Sequence, residues 1–218
     1  INYFKRVKIM QHSPIHLIEL SLFWPHKICF ESFTASIHYG NRIAIIGRNG
    51  SGKSSLLKIV QGSMMATSGE IQRPDAIRFG YLPQIIESNP SLSGAERLND
   101  ALTQALSLDP HVLLLDEPTN HLDTKNRRSL TRMLAHYRGT LILVTHDMEL
   151  LNNYVDHFWH IDNGNITDFH GSYQDYQKSI QQKRETLTQQ IALLNHQKTQ
   201  VHQDLMKSQQ RAAKRRAK

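Results

Sequence analysis

Over the first 170 residues, short apolar runs alternate with stretches of helical periodicity, and that alternation predicts an α/β sheet. Residues 16–20, 42–46, 112–116 and 141–145 read as strands, each bounded by polar or turn residues. Runs such as 43–46 and 112–115 are apolar on both faces, as parallel strands covered by helices on each side require. Residues 54–61, 96–106 and 123–136 carry the helical pattern between them.

The pattern changes near Gly171. From Ser172 to Lys218 there is no Pro or Gly, and the segment reads as one long helix rich in Gln and Lys. Ile180, Leu187, Ile191, Leu194, Val201 and Leu205 fall on the a and d positions of a heptad. So narrow a stripe predicts a coiled-coil arm rather than a helix packed back on the body. The expected division is a globular domain over 12–170 and a helical arm over 171–218.

Charge sharpens this division. The formal net charge is +7, yet residues 1–170 hold 16 Lys and Arg against 16 Asp and Glu. Residues 171–218 hold 10 against 3, so the whole excess lies on the arm, and a polyanionic partner is expected there. A single cysteine, Cys29, excludes an internal disulfide framework and fits a reducing compartment. No apolar run reaches the ~18 residues of a membrane span. A cytoplasmic protein without membrane insertion is the expectation.

Three groups of residues carry chemistry. The first, Gly47-Arg48-Asn49-Gly50-Ser51-Gly52-Lys53-Ser54, matches G-x-x-x-x-G-K-[ST] between an expected strand and an expected helix. Glycines there let backbone N–H groups converge on phosphate oxygens, and the helix N-terminus adds its positive dipole end. Lys53 is placed to reach the β- and γ-phosphates of ATP and the Ser54 hydroxyl to ligate Mg²⁺, with Ser55 a further contact. The second, Leu113-Leu114-Leu115-Asp116-Glu117, is a buried strand delivering two carboxylates to the carboxyl edge of the sheet. Asp116 suits the Mg²⁺ shell, and Glu117 can polarise an attacking water as general base. The third is His146, at the end of the strand 141–145, where an imidazole can contact a γ-phosphate. The other twelve histidines are scattered, and His157-x-x-His160 has no Cys or acidic partner at ligand spacing, so no zinc site is assigned.

Taken in order, that loop, Tyr81-Leu82-Pro83-Gln84, Leu92-Ser93-Gly94-Ala95-Glu96, Val112 to Glu117, Thr119-Asn120-His121-Leu122-Asp123 and Thr145-His146-Asp147 resemble the motifs of an ATP-binding-cassette (ABC) ATPase over residues 15–168. The resemblance implies a P-loop fold with a parallel-sheet core and an antiparallel β subdomain. It implies that Gln84 senses Mg²⁺ and the γ-phosphate, that Ser93, Gly94, Ala95 and Glu96 form the signature reaching the ATP of a second ABC domain, and that Asp123 marks the D-loop. Trp24, read here as lying in the turn before the phosphate loop, sits where this family stacks an aromatic on adenine; Phe23 is the neighbouring alternative.

The run Glu117 to Asp123 resembles the ABC-F subfamily, as does Gly171-Ser172-Tyr173-Gln174-Asp175-Tyr176 leading into a long basic helix. That likeness implies a first ABC domain plus the start of an interdomain linker, acting on the ribosome, with the arm near transfer and ribosomal RNA. A translation or antibiotic-resistance factor is then the leading expectation. The alternatives are the ATPase subunit of a transporter, which leaves the heptad arm unexplained, and a DNA-repair ATPase, whose coiled coil interrupts the domain instead of following His146.

Two departures from the family pattern matter. Seven residues, 85–91, separate Gln84 from Leu92, where such domains place a helical subdomain of several tens of residues. Either this cassette lacks the subdomain between 84 and 92 or that segment is missing from the sequence. Ala95 stands where glycine is usual, with Asn99 where arginine is common, and the added methyl group at a backbone–phosphate approach predicts slower hydrolysis with ATP binding retained.

Overall fold

The computed structural model describes residues 12–84, 94–107, 109–120 and 122–216. Their elements run β1 (Ile15–Trp24), β2 (Lys27–Ile37), β3 (Arg42–Gly47), α1 (Lys53–Gln61), β4 (Ser68–Gln72), β5 (Phe79–Leu82), α2 (Gly94–Ser107), β6 (Val112–Asp116), α3 (Thr124–His136), β7 (Thr140–Val144), α4 (Met148–Tyr154), β8 (His157–Asp162), β9 (Asn165–His170) and α5 (Tyr173–Arg216). The strands anticipated from apolar runs are β1, β3, β6 and β7; the helices are α1, α2 and α3.

Two sheets result. One is antiparallel, in the order β2-β1-β4; the other has six strands in the order β5-β6-β7-β3-β8-β9. Five strands of the larger sheet are parallel, and β9 closes its edge by pairing antiparallel with β8, so the sheet is mixed. Every residue of β6 and of β7 is buried, which is why both read as unbroken apolar runs.

One core joins the two sheets. Ile15, Leu17 and Phe30 from the antiparallel sheet share it with Ile43, Ile45, Val112, Leu114 and Ile142, and Leu56, Leu57 and Val60 of α1 complete it. Phe33 meets fully buried Trp159 edge to face at 5.1 Å between ring centroids. A bridge from Phe30 to Gly164, with Glu31 N–H donating to the Gly164 carbonyl at 2.9 Å, ties β2 to the β8–β9 turn.

Trp24 requires a correction. It is the last residue of β1, paired with Lys27 across a two-residue hairpin, so β2 intervenes before the phosphate loop. Expectations for the segment between Gln84 and α2, including Ser93 and the helical subdomain, lie outside the described residues, as does His121.

The chain divides into two compact units between Tyr173 and Gln174. The second holds all of α5 but its first residue, and the 44 residues of that helix imply a length of roughly 66 Å. On it Leu187, Ile191 and Leu194 are at least half exposed. Val201 and Leu205 have side chains outside the described set. Among the described residues, no helix is long and apolar enough to cross a membrane.

Leu114, fully buried in β6, tests the central packing. Leu114→Ala is expected to cost about 2–5 kcal/mol, read as a lower midpoint of chemical denaturation.

Candidate functional site

The parallel strands end together, and their carboxyl edge collects the chemistry. Gly47 closes β3 against β8: a β-carbon there would stand 2.6 Å from the Ile161 carbonyl oxygen and 2.7 Å from Ser51 Oγ. Gly52, at φ +100°, occupies the left-handed region and turns the chain into α1, its carbonyl accepting from Leu56 N–H at 2.8 Å. The loop is thus pinned at both ends by positions that disfavour a side chain.

Within that frame Lys53 is buried, its Nζ donating to the carbonyls of Gly47 (2.9 Å) and Arg48 (3.1 Å). Burial lowers its pKa, while the charges of Glu117 and Asp116 pull it back up. Lys27, from β2, donates to the Gly50 carbonyl at 2.7 Å. No sequence motif singled out Lys27, because its approach depends on the β1–β2 hairpin.

Asp116 ends β6 almost wholly buried. Burial raises its carboxyl above the usual range, partly offset by a hydrogen bond from Ser54 and by the charges of Lys58 and Lys53. Its Oδ1 has no hydrogen-bond partner. A buried carboxylate oxygen left free beside a serine hydroxyl is a donor set that suits a hard cation such as Mg²⁺. Tyr81, on β5, faces the same charge; burial first and then Asp116 push its phenol up to about 12.

Glu117 turns away from the strand at φ +49°, a strained value for a side-chain-bearing residue, with its N–H donating to the Val144 carbonyl at 2.8 Å. Burial raises its carboxyl, against the lowering influence of His146 and Lys53. His146 Nε2 lies 3.4 Å from Glu117 Oε1, so two residues 29 apart in sequence meet as a pair.

A cavity of about 410 Å³ unites most of these groups: it is lined by Trp24, by Asn49, Gly50, Gly52, Lys53, Ser54 and Ser55 of the loop and its helix, and by Gln84, Asp116 and Glu117. Trp24 is half exposed there. Arg48 and Ser51 instead line a neighbouring cavity of about 380 Å³ behind the loop, and the Ser51 hydroxyl is buried without a partner. Gly94, Ala95 and Glu96 open α2, and Asp123 caps α3.

A polar network links these last elements. Asn99 Nδ2 of α2 donates to Asn126 Oδ1 at 3.2 Å, and Asn126 donates from both N and Nδ2 to Asp123 Oδ1, each at 2.8 Å. The next residue, Arg127, pairs with Asp147 and, at 3.3 Å, with Glu149, gripping the segment that follows His146. Sequence reading missed Asn126 and Arg127: their spacing from the motifs has meaning only once α3 packs beside α4.

The protein-family model described as ABC transporter matches residues 30–84. One described as an AAA domain matches 93–152. The chain is similar to "Ribosome protection protein VmlR" of Bacillus subtilis (strain 168), at 36% identity over 184 residues, covering 74% of this chain and 33% of that protein. It is also similar to "ABC transporter F family member 3" of Arabidopsis thaliana, 29% identical over 195 residues, covering 71% of this chain and 27% of that one. The chain therefore spans about a third of the length of the curated relatives it matches. Among solved structures, the "Dimeric Structure of MJ0796, a Bacterial ABC Transporter Cassette" superposes with TM-score 0.61 at 19% identity, over 72% of this chain and 98% of that one, a likeness of fold alone.

The buried carboxyl makes a signed prediction. A carboxyl whose folded-state pKa is raised favours folding at low pH and withdraws that contribution as pH climbs through the folded value. Asp116→Asn should therefore melt higher than the wild type at pH 7, without nucleotide or Mg²⁺. The gap should close as pH falls toward about 4, the ordinary Asp value. Thermal melts across that range check both the sign and the closure.

Proposed function

The chain belongs to the ABC-F ATPases, and from that premise we propose that it is one nucleotide-binding half of a larger ATPase acting on the ribosome. The observation carrying the reading is the single cavity lined by Lys53, Ser54 and Ser55 with Gln84, Asp116, Glu117 and the aromatic Trp24. ABC ATPase domains bind ATP, and this space is lined by the loop residues Lys53, Ser54 and Ser55 together with Gln84, Asp116 and Glu117.

Each residue then has a task. Backbone N–H groups of Gly50 and Gly52 and the amino end of α1 receive phosphate oxygens. Lys53 exchanges its two loop carbonyls for the β- and γ-phosphates, a short swing for an ammonium already desolvated. Mg²⁺, held by Ser54, Asp116 and Gln84, supplies charge neutralisation when bound. Glu117, raised by burial and paired with His146, accepts a proton from water as that water attacks the γ-phosphorus and the bond to the β-phosphate oxygen breaks. Trp24 stacks on adenine.

Ser93, Gly94, Ala95 and Glu96 serve the ATP of a second ABC domain, and Asp123 lies at that junction. The dimeric form named for the MJ0796 cassette supports such pairing, in the same polypeptide or between copies. The arm after Gly171 carries the charge excess and presents Leu187, Ile191 and Leu194 at heptad spacing, which supports a coiled-coil linker directed at ribosomal or transfer RNA. The name of the Bacillus subtilis relative supports ribosome protection as the function class, and a cytoplasmic location accords with it.

Glu117→Gln is expected to keep ATP binding and lower hydrolysis by about 10²- to 10⁴-fold, measured as phosphate release. With ATP, the same variant should co-sediment with ribosomes, and absence from that fraction while ATP still binds would sink the ribosomal reading. Trp24→Ala should raise the dissociation constant for ATP about 5- to 150-fold, the loss of ~1–3 kcal/mol of base stacking, in a fluorescent-nucleotide titration.

A further inference from the structure

The β8–β9 hairpin builds a cluster that the nucleotide site does not use. His157 and His170 are register partners on these antiparallel strands, and Asp168 follows two residues before His170 on the same face of β9. Their rings lie 3.7 Å apart between centroids. His157 Nε2 is hydrogen-bonded to Asp168 Oδ1, and His170 Nε2 lies 3.6 Å from that same oxygen. One ligand atom from each residue falls within a span of 4.8 Å.

We propose that His157, Asp168 and His170 form a binding site for one late first-row divalent cation, with Zn²⁺ the best match. Two imidazoles and one carboxylate are a donor set that Zn²⁺ prefers and that Mg²⁺ and Ca²⁺, seeking oxygen shells, do not. Bonds of about 2.0–2.2 Å in a tetrahedral shell set ligand atoms roughly 3.4 Å apart, close to the His170–Asp168 separation already present. The His157–Asp168 pair opens to that distance when the cation replaces the proton between them, the proton leaving to water.

Burial and exposure are arranged to match. His157 is buried beside Trp159, with its Nε2 turned to Asp168. His170 is largely exposed and Asp168 about a third exposed, leaving an entry path and a fourth position open to water. All three residues sit on paired strands, so the ligands are held by ladder hydrogen bonds rather than by a loop. His160 belongs to the opposite face of β8, which is why the sequence pair His157-x-x-His160 pointed away from a site.

The test uses the full chain, treated with chelator and free of nucleotide, titrated with Zn²⁺ alone by calorimetry. One Zn²⁺ per chain is expected, undisturbed by millimolar Mg²⁺. A hundredfold excess over its dissociation constant should raise Tm by about 5–10 °C. Asp168→Asn and His170→Ala should each lose this binding, and His160→Ala should keep it. His170→Gln replaces the alanine variant if the latter lacks a cooperative metal-free melt. No saturable binding by the wild type, or binding that survives in either ligand variant, overturns the site.

Discussion

The burial of Asp116 and Glu117 at the end of an all-apolar strand sets the terms for everything around it. Water is excluded from β6 on both faces, so the two carboxylates emerge into a region where ionisation is costly, and both are held above their ordinary range. Three cationic or donor groups converge to offset that cost: Lys53 from the head of α1, Ser54 beside it, and His146 from the end of β7. None of these is near Asp116 in sequence. Placing β7 between β6 and β3 is what brings the phosphate loop and the histidine to the same edge. A residual imbalance remains at this edge: an unpartnered Asp116 oxygen and a Glu117 backbone at positive φ.

How far the sequence disclosed this depends on the kind of signal. Strands buried on both faces announce themselves as unbroken apolar runs, and β3, β6 and β7 were legible for that reason. The loop was legible because phosphate recognition needs glycine and lysine at fixed spacing. Strands β2, β4, β5 and β9 were missed because they are short or half exposed, with polar residues on the solvent face. The β8–β9 hairpin did carry a signal: Asn163-Gly164 between two runs is the pairing a two-residue turn favours, and both residues adopt positive φ. Overlooking that turn hid the convergence of His157, Asp168 and His170, since histidines 13 residues apart gain meaning only from the register.

Within the site, the sequence named residues better than it placed them. Trp24 was identified from resemblance, but its place in the cavity lining follows from the β1–β2 hairpin, which also delivers Lys27 to the Gly50 carbonyl. Arg48 and Ser51 belong to the motif by spacing, yet they line the neighbouring cavity, while Asn49 lines both. Motif membership specifies backbone geometry there, and side-chain contact is a separate matter.

The network around Asp123 suggests how occupancy at one site is felt at another. Under the proposed pairing of domains, α2 begins with the signature and Asp123 stands at the junction with the partner. Asn126 joins the two directly, bonded to Asn99 on one side and to Asp123 on the other. Arg127, one residue on, pairs with Asp147, the neighbour of His146. Under that pairing, a shift of α2 toward a partner's ATP would load Asn126 through its bond to Asn99. These are hydrogen bonds and ion pairs of modest individual strength, at most about 1–3 kcal/mol each. Contacts of that size fall in the ~1–3 kcal/mol range of coupling free energies by which one site biases another.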